Sequence, residues 1–453
     1  MRQNVREALV VGGGALGASC AFHLAKAGIR VVLAEAEPDL ALGASHSNGA
    51  QLSACHSTPW SHPGAVLKAL GWMLRDDAPL LFRPRLDPWQ WIWLARFALE
   101  CSASRSRANM LSILGLALYS RQALGAMEAD LRAADPAFAY DKLDRGILHF
   151  YRDAAEWRAG LDDAAAMSGL GLDRRNVSIE EAVGIEPSLA SIAGELLGAT
   201  YTPSDSSGDI RAFTRSTGRL LASGAMAGFA PVEILTSTRV ELARSGSARV
   251  RALLRRPESN LREARDMEPD LIVVCAATGA NTLLAPLGAR LPIYPAKGYT
   301  LTVDIAPGQE ALAPTASLTD DEHKLVYSRL GSRLRVAGTA ELSGYDARSL
   351  RAERCEALLT QTRRNFPSLD CSSRAYWAGL RPLTPSNIPA MGWSQRWENL
   401  MLCTGHGSLG WTHMAGSGAL CASMARDPSL RSVSFSNGAA KVAMDLERFA
   451  PGF

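Results

Sequence analysis

"ALVVGGGALGASCAFHLAKAGIRVVLAEA", residues 8–36, joins a short apolar run, a glycine cluster, a helical stretch and a second apolar run. That order spells strand, helix, strand. Gly12, Gly14 and Gly17 fit G-x-G-x-x-G. The first permits the tight turn, the second lets backbone approach a pyrophosphate, and the third lets helix pack on strand. Ala15 and Leu16 open the helix, whose N-terminus faces the phosphates. Glu35, 23 residues after Gly12 and followed by Ala36, ends the second strand. An acid there accepts hydrogen bonds from a ribose hydroxyl and repels a 2′-phosphate.

Outward from this unit the chain enters "LGASHSNGAQLSAC", residues 42–55, a loop rich in Ser, Asn and Gly. A nicotinamide-type domain normally goes to a helix here, whereas a flavin-binding domain sends this segment back over the dinucleotide. Ser45, Asn48, Gly49 and Gln51, with Ala50 and Leu52 beside them, are therefore candidate cofactor contacts. The alternative is a solvated turn.

A chain of 453 residues, 47% apolar, is long enough for two or three domains and a sizeable core. Its net charge of +3, with bases and acids interspersed, gives no footprint for nucleic acid and favours a small-molecule partner. The eight cysteines show no C-x-x-C pair and no metal spacing with histidine, so no metal is expected and a reducing compartment fits. With no apolar leader and no stretch of membrane-spanning length, the expectation is a cytoplasmic protein.

"LDPWQWIWLARFALEC", residues 86–101, sets Trp89, Trp93 and Phe97 on one helical face, and Trp91 widens the stripe. It reads as a helical cap buried on the core or as an interfacial helix on a membrane. Asp and Ser residues in 202–209 signal a helix start. Strand-like pieces follow around Val240 and Val250, with seven arginines between Arg244 and Arg265, read as the solvated face of a hairpin and loop. "LIVVCAATGAN" is a buried strand ending in small residues, which makes Ala277 and Gly279 candidates at a further crossover, with Val240.

The chain then turns β-rich through "YPAKGYTLTVDI", "HKLVYSRLGSRLRVAGTAEL" and "RAYWAGLRPLTP", a mixed, mainly antiparallel sheet. Residues 399–425 return to strand, glycine turn and helix, completing the first domain from the C-terminal side. The fold class is α/β, a Rossmann-type domain joined to a second, α+β domain. In "WAGLRPLTPSNIP", residues 377–389, Arg381 sits among apolar residues and prolines. Its charge calls for an anion, either an internal carboxylate or one arriving as ligand.

The segments "VVGGGALG", "ASHSNGAQLS", "DPWQWIW", "YPAKGYTLT", "WAGLRPLTPSNIPAMG" and "LCTGHGSLGWT" together resemble the D-amino acid oxidase and glycine oxidase family of FAD flavoproteins. Within it the bacterial D-amino acid dehydrogenases are most similar. The resemblance covers nearly the whole chain. It implies a Rossmann-type FAD-binding domain (1–88, 203–287 and 396–453) and a substrate-binding domain (89–202 and 288–395). It implies FAD held non-covalently and oxidation of a D-amino acid Cα–N bond, with electrons passed to a quinone or other carrier, and a peripheral membrane contact suits that acceptor.

Carried over residue by residue, the family's carboxylate-binding arginine falls on Arg381. The turn at Gly405, His406, Gly407, Ser408, Leu409, Gly410, Trp411 and Thr412 falls at the flavin pyrimidine, where backbone amides stabilise the reduced form. Tyr327 and Tyr299 are candidates for holding the carboxylate, Tyr327 being taken as catalytic; His406 and Lys297 are not. One departure stands out: the dehydrogenases usually read Asn-Ala-Gly-Gln where this chain reads Asn48-Gly49-Ala50-Gln51. A secondary-amine or imino-acid enzyme acting on sarcosine, glycine, proline or hydroxyproline would use the same arginine and flavin. A non-catalytic flavin subunit of an electron-transfer assembly is the alternative of another class.

Overall fold

The computed structural model describes residues 5–66, 71, 80–256 and 264–453. The chain opens with β1 (Glu7–Val11), α1 (Ala15–Lys26) and β2 (Arg30–Ala34), followed by the short strands β3 (Gln51–Leu52) and β4 (Leu80–Phe82). Two helices come next, α2 (Pro88–Glu100) and α3 (Ala103–Ala134). Then come β5 (Ile147–Tyr151), α4 (Ala154–Ser168), β6 (Arg175–Val177), α5 (Ile179–Ile185), β7 (Gly198–Thr202) and β8 (Ser206–Ser207). Helix α6 (Ile210–Ser223) leads to β9 (Val232–Leu235), β10 (Arg239–Ser245), β11 (Arg249–Arg255), β12 (Arg265–Met267) and β13 (Leu271–Val274). Past α7 (Ala280–Leu284), the β-rich stretch holds β14 (Tyr294–Asp304), β15 (Ser317–Asp320), β16 (Leu325–Leu330) and β17 (Arg333–Leu342). The chain ends through α8 (Ala352–Asn365), β18 (Arg374–Leu383), β19 (Ala390–Trp393), β20 (Leu400–Thr404), α9 (Gly410–Arg426), β21 (Ser432–Asn437) and β22 (Ala440–Asp445).

One sheet has the order β19-β20-β13-β1-β2-β9, parallel except for β19. Its central strands, such as β1 and β13, are continuous apolar runs because both faces are covered. Helices α1 and α9 pack against each other below it, and α3 packs on α9. The C-terminal strand β20 pairs with β13, so the far end of the chain completes the opening β-α-β unit as the sequence suggests. A second, nine-stranded sheet runs β18-β14-β17-β16-β15-β5-β7-β6, with β4 added to β17. It is mixed and mainly antiparallel, with α8 on one face and the loop after Ser45 against the other.

Three elements fall outside the expected domain boundaries. Strand β4 joins the second sheet, β19 already belongs to the first, and α3 puts Ile113, Leu116 and Met127 into the first sheet's core. Composition does not shift at these crossings, so the sequence carries no mark of them. Helix α6 starts where the acid-rich segment indicates: Asp209 caps it, accepting from Arg211 and Ala212 N–H. The arginine run lies on the exposed β10-β11-β12 ladder, paired as Arg249–Glu268, Arg251–Asp266, Arg255–Glu241 and Arg265–Glu233. Arg262 of that run lies outside the described residues.

Candidate active site

The β1–α1 turn is built for close approach. Gly12 holds φ +110°, and a Cβ on it would lie 2.8 Å from the Cys275 carbonyl. A Cβ on Gly17 would meet the Gly12 carbonyl at 1.8 Å, so this glycine sets helix on strand and lies beneath the surface the turn presents. Gly14 has no side chain to cap α1, and the first turn carries no acid; Ser45 Oγ accepts from Ala15 N–H (3.1 Å), which leaves the N–H groups after it. Those open N–H groups and the dipole suit an anionic pyrophosphate. The Glu35 carboxylate is held at the turn by Gly13 N–H (2.5 Å) and Glu37 N–H (2.8 Å).

A cavity of about 1610 Å³ begins at this turn and continues between the two sheets. Gly12, Gly14, Ala15, Leu16, Glu35, Ala36 and Ser45 line its first part, with Val240, Ala277 and Gly279. Asn48, Gly49, Gln51 and the run His406 to Trp411 line its middle, and Arg381 faces it from the second sheet. Five expected positions do not reach the wall. Gly17 and Gly405 lie behind their turns, Ala50 and Leu52 are buried, and the Thr412 hydroxyl is taken by Ser53 N–H (3.0 Å).

The loop after Ser45 is strapped to the second sheet. Ser328 donates to the Gly49 carbonyl (2.8 Å), Arg335 to the Asn48 carbonyl (3.2 Å), and the Gln51 amide to Ser317 Oγ (2.9 Å). The displaced glycine resolves into two positions. A Cβ on Gly49 would meet Val326 Cγ2 at 2.7 Å, so contact with the sheet requires glycine there. Ala50, where the dehydrogenases usually have glycine, takes φ +63°. Alanine thus occupies the left-handed conformation, at a cost of about 1 kcal/mol.

Arg381 pairs in register with Ala296, and its guanidinium reaches over β14 to donate to the Thr339 carbonyl (3.0 Å). Gly298 makes the space: a Cβ there would lie 2.3 Å from Arg381 Cζ and 2.4 Å from Nη2. Among the described residues no carboxylate lies within 4.0 Å of Arg381, so the internal ion pair is absent. Burial lowers its pKa from 12.5 to about 10, which leaves it charged at neutral pH. Gly407 N–H bonds the Pro382 carbonyl (3.0 Å), so the C-terminal turn and this strand are fixed to each other.

Tyr327 is not at this site. Side chains alternate along β16, so Val326 faces the cavity and Tyr327 faces α8, where Asn365 donates to its hydroxyl (2.9 Å) and Phe366 packs on its ring. Tyr299 is likewise buried, donating to Glu341 (3.2 Å), and Lys297 is buried against Ser349 and Asp346. His406 donates or accepts with Ser417 (2.9 Å), and burial lowers its pKa to about 3, so the ring is neutral.

Sequence spacing missed the cavity's far end. His56, His149, Asp163, Arg174 and Asp321 line it, from segments up to 265 residues apart. Folding also gathers cysteines that spacing keeps apart. The Cys20, Cys275 and Cys403 sulfurs lie within 4.8 Å of one another, as do ligand atoms of Cys55, His56 and His149. The only advance signal was that "ACHSTPW" continues directly from the candidate loop.

On α2, Trp93 is buried, stacks on Phe97 and donates to the Leu383 carbonyl (2.9 Å), while Trp89 and Trp91 stay 45% and 51% exposed. No helix among the described residues is long and apolar enough to cross a membrane.

A glycine-turn dinucleotide half facing a mixed sheet that presents one unpaired arginine defines a flavoprotein oxidoreductase architecture. The profile of the DAO family, FAD dependent oxidoreductase, matches residues 7–424. The chain is 44% identical over 418 residues to D-amino acid dehydrogenase of Dechloromonas aromatica (strain RCB), covering 92% of this chain and 96% of that one. It is 43% identical to D-amino acid dehydrogenase of Paramagnetospirillum magneticum (strain ATCC 700264 / AMB-1), covering 92% and 94%. The crystal structure of glycine oxidase from Geobacillus kaustophilus superposes with a TM-score of 0.69, 98% of each chain covered, at 19% identity, and shares the fold. The chain belongs to the DAO family of FAD-dependent oxidoreductases. FAD is its cofactor, and the open helix terminus, the glycine cradle and Glu35 fit its dinucleotide.

Proposed function

We propose that the chain is a D-amino acid dehydrogenase with non-covalent FAD. The observation that carries this reading is Arg381: a part-buried cation with no counter-ion among the described residues, in the same cavity as the dinucleotide cradle. Its planar fork suits a substrate carboxylate, and the Thr339 carbonyl and the space left by Gly298 fix its direction. Gripping the carboxylate orients the substrate's Cα and excludes water from it. Bound FAD supplies the hydride acceptor for Cα–N oxidation, and the resulting imine hydrolyses to a 2-oxo acid and ammonia. The contacts to FAD come from Gly12, Gly14, Ala15, Leu16, Glu35 and Ala36 for the dinucleotide, and from Asn48, Gly49, Gln51 and His406 to Trp411 for the ring. The backbone N–H groups of the last turn stand where negative charge on the reduced ring is held.

The electron acceptor in this reading is a quinone or similar membrane carrier, reached by peripheral contact at the cytoplasmic face. The exposed Trp89, Trp91, Ile92 and Leu99 on α2, with exposed Arg85 and Arg96 beside them, favour an anionic lipid surface. Anaerobic addition of D-alanine to the purified yellow protein should bleach the flavin, whereas L-alanine should not. Bleaching by sarcosine or D-proline alone would move the assignment to secondary amines. Reduction of a dye without peroxide separates dehydrogenase from oxidase.

A further inference from the structure

The cavity does not end at Arg381. From β17 the register runs Ala337, Val326, Thr319, His149 across β16, β15 and β5, and all four residues line the wall. Three strand steps of about 4.8 Å put the far end roughly 14 Å from the Arg381 side. There α4 presents Asp163, whose Oδ2 accepts from Thr58 Oγ1 (2.8 Å). Among the described residues the other carboxylate oxygen has no donor, and no cationic nitrogen lies within 4.0 Å of it. Burial, the largest influence on this carboxyl, raises its pKa, as expected for an acid without a cation.

The neighbouring charges are already engaged. Lys324 pairs with Glu156 (3.0 Å) and Asp321 (3.5 Å), and Asp321 also holds His149 Nδ1 (2.7 Å). Arg174 spends its three nitrogens on Thr200 Oγ1, the Cys55 carbonyl and the Tyr151 hydroxyl. Burial lowers the pKa of His56 to about 3 and that of His149 as well, so both imidazoles are neutral. Asp162, Asp163, Asp321 and Glu156 against Lys324 and Arg174 leave two net negative charges. Among the described residues Asp163 and its exposed neighbour Asp162 are the carboxylates of this set with no ion pair, and Asp163 is the less exposed of the two.

We propose that this far end is a side-chain subsite for a cationic group, so that the enzyme's substrates include basic D-amino acids such as lysine, ornithine and arginine. The carboxylate binds Arg381 and the terminal nitrogen binds Asp163. The span agrees: the six bonds from carboxyl carbon to Nζ of an extended lysine advance roughly 7.5 Å, and two hydrogen bonds of about 2.9 Å bring the total near 13 Å. This inference rests on Arg381 as the carboxylate site.

The test compares D-lysine with D-norleucine, its neutral analogue, using the FAD-loaded enzyme and an artificial dye acceptor. D-Lysine should exceed D-norleucine in kcat/KM by about 10- to 100-fold, the worth of one charge-assisted hydrogen bond. In Asp163→Asn that ratio should fall toward one while flavin absorbance shows the variant loaded and folded. Asp163→Glu, which keeps the charge, should retain part of the preference. A wild-type preference for D-norleucine, or a ratio that Asp163→Asn does not move, overturns the subsite. A preference for D-glutamate overturns it too and assigns the far end to Arg174. In each of those cases D-alanine still bleaches the flavin and the dehydrogenase reading stands. Failure of every D-amino acid to bleach it removes both.

Discussion

Replacing Arg381 with methionine sets stability against activity. The guanidinium is part-buried with no counter-ion among the described residues, and desolvation lowers its pKa from 12.5 to about 10. At 1.36 kcal/mol per unit, keeping it charged costs the folded state up to about 3 kcal/mol at neutral pH. Unfolded arginine holds its proton to higher pH than the folded form does. The penalty is therefore full below pH 10 and shrinks as pH rises through that value. Methionine keeps an apolar stem and removes the charge, so the melting temperature of the loaded enzyme should rise by roughly 2–5 °C. The substrate carboxylate meanwhile loses a bidentate charged partner worth about 3–5 kcal/mol in a water-poor site. That predicts a fall in kcat/KM for D-alanine of roughly 150- to 5,000-fold. Thermal denaturation followed by flavin fluorescence and dye-coupled kinetics read the two effects separately. A melting temperature lowered by several degrees would show that Arg381 is a structural ion-pair member. Unchanged kinetics would reject it as the carboxylate clamp.

Other perturbations probe the surroundings. Gly298→Ala puts a Cβ 2.3 Å from the guanidinium, so KM should rise at least tenfold with a smaller change in kcat, read by steady-state kinetics. Ala50→Gly should stabilise the enzyme by about 0.5–1 kcal/mol in a urea titration, because the residue holds φ +63°, whereas Gly49→Ala should destabilise it by about 1–3 kcal/mol against Val326. Burial lowers His23 to about 4 and His56, His406 and His413 each to about 3. Unfolded histidine takes up a proton near 6.5, so stability should be full above that pH and fall steadily as pH drops toward 4. A melting temperature that is flat across this window would contradict it.

What the sequence made legible was whatever local spacing encodes. The first turn and the capped start of α6 follow from residues near one another in the chain, and the strand–turn–helix pattern of 399–425 is local too, although the β13 it pairs with is distant. Arg381 was legible because a lone charge among apolar residues and prolines demands a partner. Tyr327 was misplaced because choosing a strand's face needs its register. "HKLVYSRL" alternates equally well with Tyr327 inward or outward until Val326 and Ser328 are fixed against the loop. The far end was invisible for a stronger reason: β15 comes beside β5 and the α4 that follows it only in the fold, so Asp321 shares no motif with His149 and Asp163.

The shifted glycine shows how the two kinds of information meet. Sequence comparison presents Asn48-Gly49-Ala50-Gln51 as a glycine moved by one place, which would suggest an altered backbone path. In the structure Ala50 takes the left-handed conformation, and Gly208 N–H bonds the Ala50 carbonyl (2.9 Å), while Gly49 answers a separate demand from Val326. Backbone path and side-chain clearance are therefore two constraints on adjacent residues. This chain meets the second with glycine and accepts strain of about 1 kcal/mol for the first. Restoring Asn-Ala-Gly-Gln in full would reverse that choice, so the double variant Gly49→Ala/Ala50→Gly should stay less stable than the parent by up to about 2 kcal/mol unless Val326 is shortened as well. Adding Val326→Ala to that pair should recover stability by more than it does in the wild-type background, a coupling that a thermodynamic cycle measures. Equal effects in both backgrounds would mean that the Val326 contact does not set the glycine's place.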